Sequence, residues 1–130
     1  MKPLSLFRWL LLGAVLAVGL RAAEQPAPVA LPRLVDLGSG KCVPCRMMTP
    51  ILEELRRDHA SSFEVIFIDI GQDRTAAKTH GIRVIPTQIF YDAAGKERFR
   101  HEGFMPKADI LAKFRELGVA LKPEAGAKAK

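Results

Sequence analysis

The sequence predicts an α/β fold: a mixed central sheet with helices on both faces, in the order β-α-β-α-β-β-α. Three observations carry that prediction. Apolar stretches of strand length alternate with segments of helical periodicity along the chain. The last two strand candidates are separated only by the turn DAAG, which marks a hairpin. The chain has 130 residues, 48% hydrophobic and 26% charged, enough for one core and ordinary for a globular domain.

The first 23 residues read as a targeting segment. A basic start (Lys2, Arg8) precedes an apolar run over 9–20, which as a helix rises about 18 Å against a hydrocarbon core of roughly 30 Å. Ala22 and Ala23 follow, so 1–23 is expected to be an export signal cleaved near them. Arg21 fits a cleavage site poorly, which leaves an uncleaved short anchor open. In both cases the domain is expected outside the cytoplasm, in a periplasmic or other extracytoplasmic space. EQPAPVALPR, residues 24–33, has three prolines and no apolar period, and reads as a tether.

The domain proper is expected over 34–119. LVDL (34–37) suits a buried central strand. After GSGK, Met48, Ile51, Leu52 and Leu55 recur at helical spacing, with Pro50 expected to kink that helix. Glu53, Glu54, Arg56 and Arg57 take its solvated side. FEVIFIDI (63–70) is aromatic and β-branched and predicts a buried strand. A short helix follows over 74–80, ending at Gly81. TQIFY (87–91) and KERFRHEGF (96–104) form the hairpin, and 107–117 is a closing helix with Ile110, Leu111 and Phe114 inward. Residues 120–130 are a Lys/Ala-rich tail expected to be disordered.

The formal charge of +6 does not define a nucleic-acid surface. Without Lys2, Arg8 and Arg21 there remain 17 basic against 14 acidic residues, a net +3, and the tail from Lys122 onward holds +2 of that. The folded body is close to neutral, so a nucleic-acid partner is not expected.

GKCVPC (40–45) holds the chain's two cysteines. A disulfide across so small a loop would stabilise little, because closure entropy grows with loop length. The spacing suits redox chemistry better. With Cys42 at a helix start, unpaired N–H groups and the helix dipole favour its thiolate. Pro44 fits the first turn, where a missing N–H costs nothing. Cys45, one turn inward, can reach back to Cys42, and Arg46 adds positive charge. Half a zinc site is the competing reading, but His59, His80 and His101 follow no ligand pattern and each reads as a surface residue. Met47, Met48 and Met105 are candidates for a groove beside the cysteines, Met48 also fitting the core.

GKCVPCRMMTPILEEL followed by GIRVIPTQIF resembles the thioredoxin family over roughly residues 34–119. The resemblance implies a compact thioredoxin-like fold, with Cys42 attacking and Cys45 resolving. It implies that Pro86, in Ile85-Pro86-Thr87, is cis and lies against the disulfide. Asp36 falls where the family keeps a buried acid behind the resolving cysteine, and is expected to be catalytic with its pKa raised. Val43, Pro44, Ile85, Pro86, Thr87 and Gly103 are the implied substrate-binding residues. The chain departs from the family at Lys41 and Gly38, where tryptophans are common, and at Val43 in the dipeptide. Val65 is read as standing where a lysine often pairs with the acid. Residues 24–33 leave no room for the family's first strand and helix.

These readings predict an exported thiol–disulfide oxidoreductase, a reductase of protein disulfides. A non-catalytic peptide-binding module on the same scaffold and a disulfide-forming oxidant stay open as alternatives. No cofactor is expected, because the two sulfurs carry the electrons, and no metal. Expected partners are exported proteins with disulfides, including apocytochromes, and a membrane electron donor. The protein is expected to be a monomer.

Overall fold

The computed structural model describes residues 30–122. Its elements are β1 (Arg33–Gly38), α1 (Val43–Asp58), β2 (Glu64–Asp69), α2 (Arg74–Thr79), β3 (Thr87–Tyr91), β4 (Glu97–Glu102) and α3 (Lys107–Glu116), in the expected order. The signal segment 1–23, residues 24–29 of the tether and residues 123–130 of the tail lie outside the described residues.

The strands run β2-β1-β3-β4 across the sheet. β1 pairs in parallel with β2 and antiparallel with β3, and β3 pairs antiparallel with β4. A strand flanked on both sides and covered on both faces must be apolar throughout, which is why LVDL contains only one polar residue. Side chains alternate across the sheet. Leu34 faces the larger core, with Met48, Leu52 and Leu55 of α1 and Ile110, Leu111 and Phe114 of α3. Val35 and Leu37 face the smaller one, with Ile89 and Ala76 of α2. Asp36 and Gly38 share the parity of Leu34, so they lie beneath α1.

Local chemistry sets the helix ends. Asp73 caps α2 by accepting from the Thr75 and Ala76 N–H groups. Gly81 then takes φ of 62°, in the left-handed region. In the larger core the Phe114 ring stacks on Phe63 at 4.0 Å between centroids and tilts against Phe90 at 4.9 Å. Each such buried ring removes enough apolar area from water to contribute roughly 2–3 kcal/mol.

Four expectations need correction. Among the described residues β2 is an edge strand rather than a buried one, and Phe67 on it is 41% exposed. Its β-branched composition gave no sign that one flank is open. The β2 residue opposite Asp36 is Phe67, while Val65 lies opposite Leu34, so the place next to the acid belongs to Phe67. His59 is buried and stacks on Phe63, not a surface residue. The packed body also extends past 119: Leu121 lies against the core and the Lys122 N–H donates to Ser62 Oγ at 3.0 Å.

Candidate active site

Chain geometry brings three distant segments together at the C-terminal end of β1. Cys42 is the N-cap of α1, with extended backbone (φ −95°, ψ 122°). Its Sγ accepts from the Cys45 N–H at 3.2 Å. This is the position where an oxygen usually caps a helix; a sulfur there meets the positive end of the helix dipole. Pro44 occupies the first turn, where no partner for its nitrogen is required. Cys42 and Cys45 are joined by a disulfide with Cα atoms 5.2 Å apart. Cys42 is part-exposed and Cys45 is buried. One turn of helix thus presents one sulfur to solvent and hides the other.

The loop before β3 closes over this pair. The Ile85–Pro86 peptide bond is cis, and Ile85 O lies 3.8 Å from Cys42 Sγ. Two hydrogen bonds fix the loop: Thr87 Oγ1 donates to Val84 O at 2.7 Å, and the Gly103 N–H donates to Pro86 O at 2.7 Å. Gly103 has φ of 103°, a conformation that a side chain would disfavour. Thr87 and Pro86 are buried, whereas Val43 is 59% exposed beside the sulfurs. The residues named from the sequence therefore converge, with Val43, Pro44 and Ile85 at the rim and Thr87 and Gly103 holding Pro86 in place. Of the three methionines considered for a groove, Met48 and Met105 are in the core and Met47 is exposed.

Asp36 is fully buried. Its Oδ1 accepts from Gln88 Nε2 at 2.7 Å, and its Oδ2 has no hydrogen-bond partner among the described residues. Loss of hydration disfavours the carboxylate and outweighs the help of the Gln88 bond, pushing its pKa up from 3.8 to about 6. On the same face of β1, Gly38 abuts Cys45: a Cβ there would lie 3.3 Å from Cys45 Sγ. An acid that titrates near neutrality thus sits two residues along the strand from the contact with the buried sulfur.

Gln88 went unrecognised in the sequence. Its signal was an amide in the middle of a largely apolar strand; the pairing then sets it opposite Asp36. A buried polar side chain among apolar neighbours needs a buried partner.

A solvent-facing sulfur at a helix N-cap, linked to a buried one and backed by a near-neutral acid, defines a dithiol–disulfide redox centre. Comparison with known proteins agrees. Residues 27–116 match the family model described as Thioredoxin. A thioredoxin of Rickettsia bellii (strain RML369-C) is 41% identical over 88 residues, spanning 68% of this chain and 83% of that protein. A thioredoxin of Pyropia yezoensis is 36% identical over 82 residues, 63% of this chain and 76% of its own length. A solved structure described as that of a malarial protein superposes with a TM-score of 0.62 at 15% identity, over 66% of this chain and 96% of its own, a likeness of fold alone. The chain belongs to the thioredoxin family and is a thiol–disulfide oxidoreductase.

Proposed function

We propose that this protein is an exported reductase of protein disulfides, with Cys42 as nucleophile, Cys45 as resolving thiol and Asp36 as the proton carrier of Cys45. The observation that carries the direction is Asp36 itself, a buried carboxyl on the Cys45 side with one amide partner and, among the described residues, no cation bonded to it. A thiolate at Cys42 would share this end of the fold with the ionised acid, and like charges in a poorly hydrated site repel. That repulsion raises the free energy of the reduced form relative to the disulfide, which makes the dithiol a stronger reductant.

In the forward reaction the Cys42 thiolate attacks a client disulfide, forming a mixed disulfide and releasing one client thiolate. Cys45 gives its proton to the Asp36 carboxylate, and its thiolate attacks Cys42 Sγ. The Cys42–client bond breaks, the second client thiolate leaves, and two electrons have passed to the client. A membrane electron donor outside the cytoplasm returns the pair to the dithiol. Export rests on the basic, then apolar, 1–23 segment. Periplasmic proteins with oxidised cysteines, including apocytochromes, are the proposed clients.

The exposed large apolar side chains Val43, Met47, Val84, Phe67 and Phe104 support a polypeptide client. Val43 and Met47 lie one turn apart at the start of α1, and Val84 and Phe104 flank the Pro86 loop. Apolar surface gathered at one end of a domain favours a docked chain, and the backbone at Ile85 can pair with an extended segment.

Equilibration with glutathione tests the direction. A reduction potential near −230 mV or lower supports the reductase, and one near about −120 mV makes the protein an oxidant.

A further inference from the structure

Phe67 projects from β2, an edge strand among the described residues, on the face that carries Asp36 and Gly38. It is an apolar ring, 41% exposed, at a place where an edge strand usually shows a polar residue. Its position becomes intelligible through Gly38. A Cβ built on Gly38 would lie 3.1 Å from Phe67 Cε2, 3.2 Å from Cys45 Cβ and 3.3 Å from Cys45 Sγ. Ring edge and sulfur both border this one point, so they are at most 6.4 Å apart. The missing side chain of Gly38 leaves the space in which the ring approaches the sulfur.

We propose that Phe67 is a positioning residue that seals the Cys45 side of the disulfide, so that external thiols and disulfides meet Cys42 alone. Cys42 is part-exposed and Cys45 is buried although it lies in the first turn of a surface helix. Gly38 of β1 abuts the Cys45 sulfur on the sheet side, and the Phe67 ring of β2 borders that same point, on the flank where no further strand lies among the described residues. Thiol exchange requires the incoming sulfur to approach the attacked one along the S–S axis, so a covered sulfur is not attacked. When a donor thiolate attacks Cys42, the S–S bond breaks and Cys45 leaves as a thiolate, which is then protonated. Attack on Cys45 instead would break the same bond with Cys42 leaving as the thiolate, and would place the mixed disulfide on the buried residue. The inference rests on the redox role of the pair but not on the direction in which it runs.

The test uses the Cys42→Ser protein, in which Cys45 is the one thiol, and iodoacetamide as probe. Adding Phe67→Ala should raise the Cys45 alkylation rate about tenfold at one pH, because access limits a shielded thiol. Phe67→Leu, which keeps an apolar cover, should stay within about threefold of the parent. An alkylation rate unchanged by Phe67→Ala, or raised equally by Leu and Ala, overturns the proposal. A second measurement needs no change at Phe67. Brief exposure of the oxidised wild-type protein to glutathione, then acid quench and peptide mapping, should find glutathione on Cys42 alone. Comparable amounts on Cys45 overturn it too. Neither readout depends on the reduction potential, so a wrong direction of electron flow leaves both intact.

Discussion

Replacing Asp36 by asparagine should make the oxidised protein more stable at neutral pH while slowing disulfide exchange. Folding moves this carboxyl from its ordinary 3.8 to about 6. Between those values the native state holds more protons than the unfolded chain, so stability falls as pH rises through the window. At 1.36 kcal/mol per pH unit the full penalty is about 3 kcal/mol, and about 2 kcal/mol of it develops between pH 4 and 7. The penalty is absent below the unfolded value and complete once the pH passes about 6. Asparagine keeps the shape and the Gln88 bond to Oδ1 but cannot ionise. It leaves an amide nitrogen where Oδ2 has no protein partner, which costs about 1 kcal/mol at either pH. That cost cancels when the difference between variant and parent is compared at two pH values. Denaturant titrations at pH 4 and 7 should therefore show the variant gaining about 2 kcal/mol on the parent as pH rises, on the order of 10 °C in Tm. A difference that stays constant to within about 0.5 kcal/mol between the two pH values would mean that burial does not raise the Asp36 pKa.

Three further outcomes follow from the same geometry. Cys45→Ser should accumulate mixed disulfides through Cys42 when given a disulfide substrate, and Cys42→Ser should not; mass spectrometry of the trapped adducts checks this, and the reverse pattern exchanges the two roles. Phe114→Ala removes the ring that joins Phe63 and Phe90 and should cost about 3–5 kcal/mol in urea denaturation; a loss below about 1 kcal/mol contradicts a packed core there. Thr87→Val removes the donor to Val84 O and should cost roughly 1–2 kcal/mol while lowering the exchange rate, with stability and rate measured on the same sample; a variant unchanged in both leaves no role for that bond.

Much of the fold was legible because local rules and tertiary packing agree. LVDL announces a strand covered on both faces, and the Met48, Leu52, Leu55 spacing announces the buried face of α1. The DAAG turn announces the hairpin. The cysteine pair was legible from its spacing and from Pro44, while its meeting with Pro86 needed the family resemblance, since Pro86 comes 41 residues after Cys45. Strand register was not legible. Whether Val65 or Phe67 stands beside Asp36 depends on a pairing that no single strand encodes, because a shift of two residues leaves both on the same face. Nor does a run such as FEVIFIDI declare whether both its edges are paired, and among the described residues only one is. Gln88 and His59 escaped for a related reason. A polar side chain becomes a core residue only through a partner supplied from elsewhere, here Asp36 for Gln88 and the Phe63 ring stacked on His59.

A single-turnover transfer between the reduced protein and an equimolar disulfide-bonded peptide, followed by mass spectrometry at successive times, reads the thiol–disulfide exchange itself. Protein and peptide should exchange two hydrogens stoichiometrically, through a transient adduct on Cys42, and Asp36→Asn should prolong that adduct most above pH 6 or so, where the parent's acid is ionised. Peptide that stays oxidised, or an adduct that persists equally in parent and variant at every pH, would contradict this mechanism.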